Sequence, residues 1–186
     1  FGGLGHARQL TNLGLRPQNV QWRPFADQLV FTADESILDE LAYPRTDMFM
    51  VDLDGVTTRL TNDGFVYNAL GFSPDGQWIS YNRSMGTDMI IQSGVRHGGA
   101  RDLYVRGTKG GLINLTEDWD LDPGNPMWSP DSRYIYFVAG IGGARHLFRV
   151  SPDQGSVEQV TQGFRRINSL DIDDSFRKMT YLVGEF

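Results

Sequence analysis

Four stretches of this sequence lie over one another without a gap, and that repetition limits the fold more than any other feature of the chain. They are Trp22–Phe31, Phe72–Tyr81, Trp128–Phe137 and Ile172–Tyr181. Each opens on a large apolar residue. Leu29, Ile79, Ile135 or Met179 follows seven places on, and Phe31, Tyr81, Phe137 or Tyr181 nine places on. The openings are spaced by 50, 56 and 44 residues. A second landmark keeps step with the first: Leu10-Thr11, Leu60-Thr61, Leu115-Thr116 and Val160-Thr161.

Each unit reads as four strands. The first ends at the opening apolar residue and runs into a tight turn, best seen in Ser73-Pro-Asp-Gly76. There proline presets φ, aspartate can bond the backbone ahead and glycine tolerates a positive φ. The second strand follows, as in Trp78–Tyr81 or Tyr134–Val138. A third (Asp47–Val51, Asp102–Val105 or His146–Val150) leads into a hairpin, and the fourth ends on the Leu-Thr landmark. Tyr134–Val138 is apolar at every position, which fits a sheet covered on both faces. Stacked helical pairs are excluded, because no window keeps a 3.6-residue apolar period.

The expected fold is therefore all-β: a partial β-propeller of four-stranded antiparallel blades, about three and a half of them, forming a single domain over 1–186. The blades fall at approximately 16–62, 65–117 and 122–162, with a half blade at 167–186. Arg8–Thr11 reads as the outer strand of a blade that is otherwise missing. The chain starts at Phe1 and stops at Phe186 inside what reads as a strand pair, so it is taken as a fragment of a larger ring. The open edge at Lys178–Val183 and the uncovered face of the first blade lead to an expectation of self-association.

Composition agrees with this and removes several functions. The 22 Gly and 8 Pro suit many short strands joined by turns. A formal charge of −6 with no basic stripe argues against nucleic-acid binding. No cysteine is present for a disulfide scaffold or a thiolate metal site. No apolar run approaches the length needed to span a bilayer, so no membrane partner is expected. The compartment is read as bacterial cytoplasm or periplasm.

Phe72-Ser-Pro-Asp-Gly76, Asn114-Leu-Thr-Glu-Asp-Trp-Asp120, Trp128–Phe137 and His146–Val150 with Val157–Thr161 together resemble the propeller of the prolyl oligopeptidase family of serine peptidases. That group includes dipeptidyl peptidases and acylaminoacyl peptidases. The same turn also occurs in propellers similar to TolB and to tricorn-type proteases. The resemblance implies a parent chain in which an α/β-hydrolase domain carries a Ser–Asp–His triad. The propeller would cap it and gate the access of short peptides. The alternative is a TolB-like or tricorn-like propeller serving as a protein-docking module. This sequence has no Gly-x-Ser-x-Gly elbow, so no catalytic residue is assigned and no activity is expected of the chain itself. Asp34–Glu40 is acidic but does not match the paired-glutamate motif of dipeptidyl peptidases.

Other patterns yield to plainer accounts. Asp118, Asp120, Asp122 and Gly124 suggest a calcium loop, yet the glycine is one place late and Ser129 stands where the closing glutamate belongs. An inter-blade turn explains them better. Gly140–Gly143 is followed by a strand and not a helix, which excludes a nucleotide fingerprint. His6, His97 and His146 have no metal-ligand spacing, so neither metal nor cofactor is expected. Ser73 and Ser129 are turn residues. Asn82-Arg-Ser84 and Asn114-Leu-Thr116 match a glycosylation sequon. His97-Gly98-Gly99 lies in a long insertion. The connections between second and third strands are long at Thr32–Thr46 and Arg83–Arg101 but short at Gly140–Arg145, and long loops in a compact repeat carry function or stay solvated. Arg83, Arg96, His97 and Arg101 are the candidate substrate-binding residues.

Overall fold

Strands form where the repeat places them, and each Ser-Pro-Asp turn closes on itself. The computed structural model describes residues 7–95, 101–153, 155–173, 175 and 177–184. β1 (Gln18–Trp22), β2 (Gln28–Asp34), β3 (Thr46–Asp52) and β4 (Thr57–Arg59) make the first antiparallel blade in sequence order. β5 (Phe65–Phe72), β6 (Trp78–Met85), β7 (Asp102–Gly107) and β8 (Leu112–Asn114) make the second. β9 (Gly124–Trp128), β10 (Ile135–Ile141), β11 (Ala144–Val150) and β12 (Glu158–Gln159) make the third, and β13 (Arg166–Ile172) pairs with β14 (Met179–Gly184) as a half blade. The half blade joins the third through one parallel pair, Arg145 with Arg166.

Alternation along each strand sends successive side chains to opposite faces, and the central strands of the complete blades bury side chains on both. In β10 and β11, Ile135, Phe137, Ala139, Phe148 and Val150 pack with Leu103 and Val105 of the second blade. The intervening Val138 and Leu147 pack with Ile167 of the half blade. Val30 and Met48 of the first blade meet Tyr67, Leu70, Ile79 and Tyr81 of the second. The expected uncovered face of the first blade is in part covered. Phe31, Ala33, Phe49 and Val51 are buried there beneath Leu10 and Leu15. Arg8–Thr11 is not a strand: it pairs with no strand among the described residues and lies as irregular backbone, and the Leu10 carbonyl approaches Gly55.

The Leu-Thr landmark has a definite bonding role. Thr61 Oγ1 accepts from the Met48 N–H at 2.9 Å and donates to Asp47 Oδ1 at 2.9 Å. Thr116 does the same for Leu103 and Asp102. Thr161 accepts from Leu147 N–H at 3.0 Å, with His146 in the place of the aspartate. The hydroxyl continues the ladder just past the fourth strand, at the start of the third.

The turns repeat as faithfully. Ser73 Oγ donates to Asp75 Oδ1 at 2.5 Å and accepts from Trp78 N–H at 3.0 Å. Ser129, Asp131 and Tyr134 repeat this at 2.6 and 2.9 Å. Turns of successive blades also touch. The Asp75 N–H donates to Ser132 Oγ at 3.1 Å, and a Cβ on Gly76 would fall 2.9 Å from the Pro24 carbonyl oxygen.

One repeated device escaped the sequence reading. Each complete blade's inner strand breaks register, and Asn19, Ala69 and Asn125 sit there with φ of 50°, 53° and 52°. Their spacings, 50 and 56, are those of the repeat. Such bulges bend a strand and sharpen its twist. A second departure is α1 (Thr87–Ser93) in the long second-blade insertion, bounded by Gly86 and a left-handed Gly94. Seven residues are too few to display a helical period.

The left-handed positions predict opposite signs for two substitutions. Ala69→Gly relieves the steric cost of a positive φ and raises stability by about 0.5–1 kcal/mol. Gly76→Ala adds that cost and the overlap with Pro24, lowering stability by about 1–3 kcal/mol. Urea melts of the two variants measure both. The Asp131 carboxyl lies below its usual range, first because Ser129 bonds to it and then through the Arg133 N–H. A carboxylate lowered on folding adds stability above its unfolded pKa and loses that contribution as pH falls through the folded value. The melting midpoint is therefore expected to drop below about pH 4, with Asp131→Asn flattening part of that slope.

Candidate functional site

Strand polarity divides the loops between two faces. The Ser-Pro-Asp turns and the third-to-fourth hairpins lie on one. The second-to-third connections and the inter-blade loops lie on the other, which is where the sequence candidates sit. The connections differ in build. Between β10 and β11 only Gly142 and Gly143 intervene, at φ of 57° and 82°, the backbone of a tight hairpin. The first blade instead inserts residues 35–45, opening on a 3-10 turn at Glu35–Leu38, and the second inserts 86–101 with α1. Gly86 lets α1 start against the inter-blade loop, because a Cβ there would fall 2.3 Å from the Gly64 carbonyl oxygen.

Of the four candidates, Arg83 and Arg101 are described, and Arg96 and His97 lie outside the described residues, as does the rest of His97-Gly98-Gly99. Arg83 lies near the end of β6 with its guanidinium 3.4 Å above the Phe65 ring and 5.0 Å from that of Tyr104. Asp63 Oδ2 is 3.9 Å away, and Arg83 Nε is buried with no hydrogen-bond partner among the described residues. A cleft of about 270 Å³ opens here, lined by Phe65, Arg83, Asp102, Tyr104, Glu117 and Trp119. Arg101 does not line that cleft. It forms a two-pronged pair with Asp122, at 2.8 and 2.7 Å, fastening the base of the second insertion to the loop before β9.

The same fastening recurs at the start of every third strand. Thr46 Oγ1 bonds both the N–H and the carbonyl of Tyr67 in the next blade. The Arg145 N–H donates to the Arg165 carbonyl at 3.0 Å. Asn82, nearly fully buried, donates to the Pro123 carbonyl at 2.9 Å, so its sequon is closed to a glycan. Asn114 donates to Asp102 and to the Tyr104 hydroxyl.

A charged network missed in the sequence anchors the first insertion. Asp47, fully buried, receives Arg59 at 2.6 Å and Arg45 at 3.4 Å, and Glu35 takes Arg59 at 2.8 Å. Its members are spread over 25 residues, and only the sheet brings them together. A second cleft of about 230 Å³ lies between the two insertions, lined by Tyr43, Arg45, Asp63, Thr87, Asp88 and Gln92. A larger groove, about 640 Å³, runs along the outer strands of the second and third blades and shares Glu117 and Trp119 with the Arg83 cleft.

The hydroxyls near the clefts are held protonated. Burial pushes Tyr81 up to about 12. Burial, followed by its bond to Asp63, pushes Tyr67 higher still. These groups can donate hydrogen bonds but do not exchange protons near neutral pH. Ser73 and Ser129 are committed to their turns on the opposite face. Asp122 of the suspected calcium loop is taken up by Arg101, and no group of three metal-ligating side chains occurs among the described residues. No helix among them is long and apolar enough to cross a membrane.

No protein-family model matches the chain. It is 26% identical over 154 residues to dipeptidyl-peptidase 5 of Porphyromonas gingivalis, covering 78% of this chain and 21% of that protein. It is 28% identical over 127 residues to an uncharacterised protein of Agrobacterium fabrum, covering 68% and 39%. The chain thus spans well under half the length of the curated relatives it matches. Among solved structures, the propeller domain of the trilobed protease of Pyrococcus furiosus aligns with a TM-score of 0.65 at 16% identity, over 89% of this chain and 47% of that one. TolB of Acinetobacter baumannii aligns at 0.61 and 20% identity, over 90% and 37%. The acylaminoacyl peptidase of Pyrococcus horikoshii aligns at 0.62 and 18%, over 89% and 23%. The blades, their turn chemistry and these likenesses agree: the chain is a stretch of β-propeller similar in repeat and fold to the propeller domains of the prolyl oligopeptidase family of serine peptidases.

Proposed function

We propose that this propeller segment is a non-catalytic part of a longer serine peptidase, in which it restricts the access of short peptides to an α/β-hydrolase domain. The observation that carries the reading is the gathering of both long insertions, the inter-blade loops and the Arg83 cleft on one face. A face so built can sort what passes it, while the opposite face consists of short, self-satisfied turns. The 26% identity to a dipeptidyl peptidase points the same way. On this reading Arg83, Arg96, His97 and Arg101 are the residues nearest a passing peptide. Arg83 Nε is without a hydrogen-bond partner among the described residues, which marks the guanidinium as a candidate peptide contact.

A docking module is the second reading, favoured by the alignment with TolB over 90% of the chain. The encoding reading frame separates the two. A Gly-x-Ser-x-Gly elbow with following Asp and His codons, roughly 100–300 residues downstream, supports the peptidase; a frame that closes without one overturns it. The purified chain is expected to release nothing from acyl-amino-acid or dipeptide anilides. Turnover abolished by a serine-directed phosphonate would show a nucleophile within these residues and end the non-catalytic reading.

Arg83 and Arg101 are expected to behave differently. Arg83→Lys keeps the charge but loses the planar stack on Phe65 and should cost about 0.5–2 kcal/mol in a urea melt. Arg101→Ala removes a half-exposed pair and should cost no more than about 1 kcal/mol. In the full-length enzyme, Arg96→Ala is expected to raise KM several-fold with kcat nearly unchanged, as loss of a peptide contact requires.

A further inference from the structure

Two seams between complete blades carry a groove on their outer side, and the side chain that crosses one of them has no counterpart in the other. Between the first and second blades the groove is about 450 Å³ and runs past Leu60 and Asp63. Arg106 of β7 crosses it, its Nη1 donating to the Leu60 carbonyl at 3.2 Å. Between the second and third blades the groove is about 640 Å³. Val150 holds the position of Arg106 there: Ile135 pairs with Val150 as Ile79 pairs with Arg106, and Ile79 and Ile135 are one repeat position. Valine has no donor to send across, and Val150 instead packs in one core cluster with Leu115.

The second groove is lined by two kinds of side chain. Ile113, Trp119 and Val157 are apolar and partly buried against the core. The Trp119 ring is held edge-on by Phe137 and Phe148, with centroids 5.4 and 5.0 Å away. Glu117 and Asp118 are exposed, and no Lys or Arg lines the groove among the described residues. In the adjoining Arg83 cleft Asp120 adds another exposed carboxylate. One wall of the groove is a strand edge, because β8 pairs with β7 alone among the described residues. The N–H of Leu115 donates to Leu103 and that of Gly107 to Gly111. Bonded pairs alternate along an antiparallel ladder, so Leu112 and Asn114 turn their backbone N–H and C=O groups to the open edge.

We propose that this groove takes an extended segment of a partner protein, apolar at alternate positions and carrying a lysine or arginine, added as a strand along β8. Its main chain pairs with Leu112 and Asn114, and its apolar side chains lie on Ile113, Trp119 and Val157. Its cation lies beside Glu117 and Asp118, where charge complementarity selects it over an acidic segment. The first seam is unfit for the same ligand, because the Arg106 guanidinium stands in it and repels a cation. The inference does not rest on the peptidase reading, since the groove belongs to two complete blades and contains no group that reading uses as a peptide contact.

Isothermal titration of the full-length protein, with any serine nucleophile first blocked by the phosphonate, tests the proposal. The probe is an acetylated and amidated heptapeptide, Lys-Val-Thr-Val-Thr-Val-Lys, whose ends allow either direction along β8. It is expected to bind, a version with glutamate in place of both lysines to bind roughly tenfold more weakly, and a version N-methylated throughout not to bind. Protein carrying both Glu117→Lys and Asp118→Lys, at exposed positions, should reverse the preference and take the glutamate peptide. The peptide series on the unaltered protein is decisive by itself. A lysine peptide that does not bind, or binding indifferent to charge or to N-methylation, overturns the proposal, as does a double variant that keeps the original preference. With the hydrolase site blocked, none of these outcomes bears on the peptidase reading, which stands or falls on the downstream elbow.

Discussion

Each complete blade in this chain buries side chains on both faces, and a neighbouring sheet covers most of that surface. The consequence runs through β10. Ile135, Phe137 and Ala139 face the second blade, and Val138 faces the half blade, so no residue in its centre is left for solvent. Each large apolar side chain so enclosed is worth about 1.5–3 kcal/mol. A lone blade would expose both of these surfaces, and a short isolated sheet is marginal in water at best. Stability is therefore shared between neighbours, as in other repeat architectures, and the blade is a unit of packing more than a unit of folding.

Lateral burial alone would let blades slide. Hydrogen bonds with fixed partners prevent that, and they recur in step with the repeat. The landmark threonine ties the start of the third strand to the end of the fourth. Thr46, Arg101 and Arg145 tie the same point to the following blade, by a hydroxyl, a guanidinium and a backbone N–H respectively. The chemistry varies while the geometry is kept, which is how sequence can diverge between blades without loosening the ring. The inner-strand bulge adds curvature at the same level in each blade and tolerates asparagine or even alanine in a left-handed conformation.

The two faces of the blades are built differently. Short turns that satisfy their own polar groups leave little to bind. Insertions, by contrast, can be long because their ends are already held by β2, β3, β6 and β7, and closing a longer loop between fixed ends adds little entropy cost. The Asp47 network and the Arg101–Asp122 pair hold the feet of these insertions. Arg83 lies over the Phe65 ring and near that of Tyr104, beside the cleft that these residues line.

The residues by themselves determined the strand count, the turn chemistry and the blade class, because these depend on spacing and local conformation. Trp22, Phe72, Trp128 and Ile172 announce the repeat whether or not they are buried. Proline, aspartate and glycine encode their turns within four positions. What touches what across blades was decided only in three dimensions. Trp22 and Trp128 are the same residue at the same repeat position, yet one is bare and the other bonds Ser80, because the second blade lies against Trp128. The cluster of Glu35, Arg45, Asp47 and Arg59 and the ring stack on Arg83 join residues from separate strands, so no local pattern marks them. The bulge at Asn19, Ala69 and Asn125 was readable in principle from its spacing, but neither residue type is restricted to a left-handed backbone. Arg8–Thr11 shows the limit from the other side: it carries the landmark of an outer strand, and without a partner strand it does not become one.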